Sequence, residues 1–83
     1  MHRVRVNIGF DDGFKSRGSV AKKVSALAGI NDGIINEVEA RRDHSVLEAS
    51  SDIVEMLIER VDGAQIGKKI VTVHALAGQQ AAV

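Results

Sequence analysis

Arg3, Arg5 and Asn7 stand at every second position, separated by Val4, Val6 and Ile8. That period places the three polar side chains on one face of a strand and the three apolar ones on the other. Guanidinium forks and a carboxamide on an exposed sheet face are suited to holding phosphates and reading base edges. A second reading stands beside this one. Glu37, Glu39 and Glu48 are expected on the same face, and three carboxylates among two arginines would make a salt-bridged sheet surface of little energetic consequence.

Further cations fall into two groups. Lys15, Arg17, Lys22 and Lys23 surround the first loop and the helix that follows. If Arg17, Lys22 and Lys23 converge, they form a phosphate clamp at a helix start, where free N–H groups also favour anions. The competing reading is a solvated helix face, preferred for Lys22, whereas Lys15 and Arg17 are read as binding residues. Arg41 and Arg42 at a hairpin tip, and Lys68 and Lys69 before the last strand, occupy loop positions that commonly contact a nucleic-acid backbone. Solubility and protection from edge pairing explain them equally well.

Asp11, Asp12 and Asp32 flank glycines and read as turn residues. His2, His44 and His74 are scattered, with no metal-ligand spacing and no cysteine to complete a site. No catalytic residue, metal or cofactor is expected.

These residues need a scaffold, and the punctuation of the chain predicts one. Val20, Val24 and Leu27 form an apolar helical stripe between Ser19, an expected N-cap, and Gly29, an expected stop. A strand is expected over Ile34–Arg41, with Val38 and Ala40 inward and Glu37 and Glu39 outward. Arg42-Asp43 turns the chain into a strand over His44–Ala49, making a hairpin. A second helix begins near Ser51 or Asp52, where Asp52 and Glu55 have capping-box spacing. Ile53, Met56, Leu57 and Val61 form its apolar face, and Gly63 ends it. The last strand is expected from Lys68 to Ala75.

Strand, helix, strand, strand, helix, strand is the βαββαβ order of an α+β, ferredoxin-like fold: a four-stranded antiparallel sheet with two helices on one face. Residues 3–76 form this domain, and residues 77–83 are expected to be a flexible tail.

Eighty-three residues allow one small core, and 45% apolar content supplies it. The only benzenoid rings are Phe10 and Phe14, so the core is aliphatic. Absence of cysteine fits a cytoplasmic setting. The sequence shows neither a membrane span nor a secretion signal. A chain that enters a strand so directly is expected to be a domain of a longer polypeptide. Net charge is zero, yet residues 1–42 carry +3 and residues 43–83 carry −3. A dipolar chain of this kind can present a basic patch without a basic total.

Val6-Asn7-Ile8-Gly9, Asp11-Asp12-Gly13, the helix near Val20, Ser45-Val46-Leu47-Glu48 and Ile66-Gly67-Lys68-Lys69 together give the chain a resemblance. It resembles the DbpA-type RNA-binding domain at the C-terminus of bacterial DEAD-box RNA helicases, over roughly residues 3–76. The Asn-Ile-Gly-x-x-Asp-Gly run is the most specific element. The resemblance implies an RRM-like, non-catalytic domain that tethers a helicase core, in cis, to structured and especially ribosomal RNA. It adds His44, beside Ser45, to the expected RNA contacts Arg3, Arg5, Asn7, Lys15, Arg17, Lys23, Arg41, Arg42, Lys68 and Lys69. The chain departs from the family at Asn36, where a glycine usually opens the second strand, and at His44 and Val46, where aromatics usually flank Ser45. Without sheet aromatics, affinity is expected from phosphate contacts, shape and arginine. A protein-interaction or oligomerisation module on the same fold is the alternative, with self-association as one form of it. A small-molecule sensing domain is a weaker third.

Overall fold

Val4, Val6 and Ile8 are fully buried while Arg3 and Arg5 stay exposed, so the first strand, β1 (His2–Val6), has the expected two faces. The computed structural model describes residues 2–76 apart from Arg17, and of Asp32 only the backbone. The binding role expected of Arg17 and the tail expected over residues 77–83 lie outside the described residues. After β1 come helix α1 (Ser19–Ala28), the hairpin β2 (Asn36–Ala40) and β3 (Ser45–Ala49), and helix α2 (Ser51–Arg60). The chain closes through β4 (Gln65–Ile66), β5 (Lys69–Ile70) and β6 (Val73–Ala75).

The main sheet is antiparallel in the order β2-β3-β1-β6, which is the ferredoxin-like arrangement. Its inner face carries Val4, Val6, Leu47, Ala49 and Val73 against Val20, Ala21, Val24 and Ala28 of α1 and Val54 and Leu57 of α2. Two buried hydroxyls are satisfied locally: Ser25 donates to the Ala21 carbonyl and Ser45 to the Ile8 carbonyl, both at 2.8 Å. Arg60 donates to the Ala28 carbonyl at 2.9 Å, placing a cation at the negative end of α1 and tying the two helices together. Among the described residues no helix is long and apolar enough to cross a membrane.

Several expectations are corrected. The final strand is not continuous from Lys68 to Ala75. Gly67, at φ 59°, turns a separate two-stranded hairpin of β4 and β5, and the edge of the main sheet resumes only at β6. The second strand is shorter than Ile34–Arg41, because a 3₁₀ turn occupies Asp32–Ile34. It also contains a bulge between Glu37 and Glu39, which resets the alternation. Val38 is therefore 42% exposed rather than inward, and Glu37 faces the helices opposite Leu47. Gly18, not Ser19, caps α1; Ser19 is the first helical residue and its hydroxyl donates to the Ser16 carbonyl at 2.6 Å. Ser50 occupies the N-cap position of α2, its hydroxyl donating to Asp52, so the Asp52–Glu55 capping box does not form.

Candidate nucleic-acid interface

Antiparallel register decides which side chains share the open face of the sheet. Arg3 lies opposite Glu48, Arg5 opposite Val46 on one side and His74 on the other, and Asn36 and Glu39 extend the face onto β2. The two readings of this surface divide along the sheet. Arg3 is bridged to Glu48 at 3.3 Å, as a salt-bridged surface requires. Arg5 forms no salt bridge among the described residues; its cross-strand neighbours are a valine and an imidazole. A shallow depression joins Arg5 and His74 with Asn7 and Thr72. Arg5 thus adjoins His74 on the β6 side, while Glu39 and Glu48 lie toward β2.

Asn7 lines this depression and also braces it. Its carboxamide oxygen accepts the Thr72 N–H at 2.8 Å and its nitrogen donates to the Ile70 carbonyl at 3.0 Å. The side chain acts as an extra peptide group, holding the chain between β5 and β6 beside β1. Both carboxamide atoms of Asn7 thus bridge backbone groups of the neighbouring segment.

Most of the loop cations meet at one end of the sheet. Gly9 passes so close to the β2–β3 turn that a Cβ there would lie 2.2 Å from the Arg41 carbonyl oxygen. Phe10 N–H then donates to the Arg41 carbonyl at 3.0 Å and Asp11 N–H to that of Arg42 at 2.8 Å. This contact welds the loop after β1 onto the hairpin tip. Arg41 is paired with Glu39, Arg42 with Asp11 at 3.6 Å, and Lys69 with Asp12 at 3.0 Å. His44 Nδ1 lies 2.7 Å from Asp43 Oδ1. That bond, with a smaller contribution from Arg5, holds the Asp43 carboxyl below its ordinary value. Lys15 and Lys68 are exposed and form no ion pair among the described residues.

The N–H groups at the start of α1, expected to favour an anion, are already engaged, while the convergence of Arg17 with Lys22 and Lys23 lies outside the described residues. Glu37, turned inward by the bulge, accepts from the N–H groups of Gly18, Val20 and Ala21, each at 3.1 Å. A carboxylate of the protein already occupies the site that an anion would take. Lys22 and Lys23 are exposed on the outer surface of α1, away from the open sheet face.

Sequence reasoning missed Phe10, His74 and Glu37. An aromatic residue directly after a loop glycine was the available signal for Phe10. His74 becomes visible only once β6 is paired with β1. Glu37 depends on the bulge, which no alternation rule locates. No protein-family model matches this chain, and no curated protein matches its sequence.

Proposed function

We propose that this chain is an RNA-binding domain, non-catalytic in itself, that tethers a DEAD-box helicase core to structured RNA such as ribosomal RNA. The helicase context comes from the sequence resemblance. The observation that carries RNA binding is Arg5 on the open sheet face, outside the salt bridges formed among the described residues and beside His74 and Thr72.

The paired cations belong to the same surface. Arg42 is 84% exposed and lies 3.6 Å from Asp11, and exposed pairs of this kind contribute only about 0–1 kcal/mol. A phosphate can replace such a carboxylate at small cost. Arg41, Arg42, Lys15 and Lys68 then act as loop contacts around the central Arg5, with Lys69 held in place by Asp12. Lys23, on the outer surface of α1, is left out of the interface.

Fluorescence anisotropy with ribosomal RNA hairpins, over a salt series, tests this reading. Binding should be saturable and fall steeply with salt through counterion release. Arg5→Ala should weaken it and reduce the salt slope by about 1, with little change in thermal midpoint. A folded protein that binds no RNA at low salt refutes the proposal and leaves a protein partner as the reading of the fold.

A further inference from the structure

We infer that Phe10 and Lys15 form a nucleotide subsite at the β2 edge of the sheet, taking one unpaired RNA base and its phosphate. The inference rests on the RNA-binding reading and goes beyond it by naming the RNA feature recognised.

Phe10 is 37% exposed although it is one of only two benzenoid residues in the chain. It lines a depression of about 290 Å³ with Lys15, Glu37, Val38, Glu39 and Ala40. That is at the lower end of small-molecule sites, which run to roughly 300–1,000 Å³. The bulge that turns Glu37 inward leaves Val38 outside, so the depression gains a second apolar wall beside the ring.

Charge decides what fits. Both carboxylates around the depression are engaged, Glu37 by three N–H groups of α1 and Glu39 by Arg41. Lys15 forms no salt bridge among the described residues. A flat apolar group bonded to an anion matches this lining, and a nucleotide has that form. The ring is also preorganised. Gly9 is wedged against the Arg41 and Arg42 carbonyls, and Phe10 N–H is bonded to Arg41, so little backbone freedom is lost when a base stacks. Continuity with the Arg41-Arg42 tip favours RNA over an acidic peptide, because the flanking phosphates would continue onto those arginines.

Two RNAs test the inference: a blunt ribosomal hairpin and the same hairpin with a short single-stranded overhang containing 2-aminopurine. Stacking on an aromatic side chain predicts that the wild-type domain prefers the overhang RNA by about 5- to 150-fold, with 2-aminopurine emission changing on binding. In Phe10→Leu the preference should collapse towards unity while affinity for the blunt hairpin is retained. Lys15→Gln, a surface change that leaves the fold intact, should lower the salt slope for the overhang RNA by about 0.7. A preference that survives Phe10→Leu, or is absent from the wild type while the blunt hairpin binds, overturns the subsite and leaves the RNA reading standing. Failure of the wild type to bind either RNA overturns both and turns attention to a peptide ligand.

Discussion

Replacing Glu37 should destabilise the domain far more than an ordinary surface glutamate would. Its carboxylate accepts from Gly18, Val20 and Ala21 N–H at 3.1 Å each, in a half-buried position at the positive end of α1. Gly18 supplies no side chain, so Glu37 performs from another strand the task that an N-cap residue performs locally. Loss of a side-chain N-cap costs about 0.5–2 kcal/mol. Loss of a favourable charge at a partly buried helix terminus costs up to about 2 kcal/mol. The two effects overlap, and the 3.1 Å distances lie towards the long end of N–H···O bonds. Water can also reach a half-buried site. Glu37→Ala should therefore cost about 2 kcal/mol, and Glu37→Gln, which keeps one acceptor, about 1 kcal/mol. In a domain of this size 2 kcal/mol lowers the thermal midpoint by about 8–16 °C. Urea and thermal unfolding followed by circular dichroism measure both variants, and the urea slope should not change. A loss below about 0.5 kcal/mol for Glu37→Ala, the usual range for surface substitutions, would refute the cross-strand cap.

Asn7→Leu should cost about 1–3 kcal/mol by leaving the Thr72 N–H and the Ile70 carbonyl without their partner. Hydrogen exchange should show Thr72 losing protection first; an unaltered Thr72 amide would contradict the bridge. Gly9→Ala should cost about 1–3 kcal/mol by overpacking, although Gly9 is extended at φ −164°, because its Cβ would meet backbone oxygen at 2.2 Å. A variant as stable as the wild type would show that the loop and hairpin tip are not welded. Acid should remove a little stability through Asp52 and Asp43. Hydrogen bonds from the Ser50 hydroxyl and His44 hold these carboxyls below the ordinary 3.8, so their stabilisation is present above that value and lost as pH falls through the lowered one. Asp52→Asn should flatten the urea midpoint between about pH 5 and pH 2, and an unchanged profile would remove Asp52 from the account.

The sequence makes the fold legible because the apolar pattern changes period where the elements change. Val4-Val6-Ile8 alternate, Val20-Val24-Leu27 follow the helix, and Gly29 marks the stop of α1, whereas α2 ends at Arg60, before Gly63. Local features that depend on a partner strand are less visible. Nothing in Asn36-Glu37-Val38-Glu39-Ala40 distinguishes a regular strand from one with an extra residue, yet that residue decides which carboxylate is buried and which valine is exposed. The division of the last segment into β5 and β6 rests on Asn7, about sixty residues earlier in the chain. Candidate contacts could be named as cations, but not sorted into paired and unpaired ones. Arg3 and Arg5 have the same residue type, face and strand. Only the register, which sets Glu48 opposite one and Val46 opposite the other, separates them.

Zero net charge becomes intelligible from the same geometry. Carboxylates are placed beside the loop arginines and Lys69 at surface pairs, or spent on backbone N–H groups, as with Glu37 and α1. Glu37 is engaged by three N–H groups of α1 in a half-buried position and contributes to folding. Asp11 and Glu39 hold Arg42 and Arg41 through exposed pairs, which a phosphate can exchange for a bond to itself. Such pairs keep the arginine side chains aimed near the hairpin tip before RNA arrives. Each such exchange has to displace a carboxylate from its arginine. On this account Asp11→Asn should strengthen RNA binding at the Arg42 position and steepen its salt dependence, because one more cation is then available for a phosphate. Unchanged affinity in that variant would mean that Arg42 remains paired in the complex and that Arg5 and Lys15 carry the contact without it.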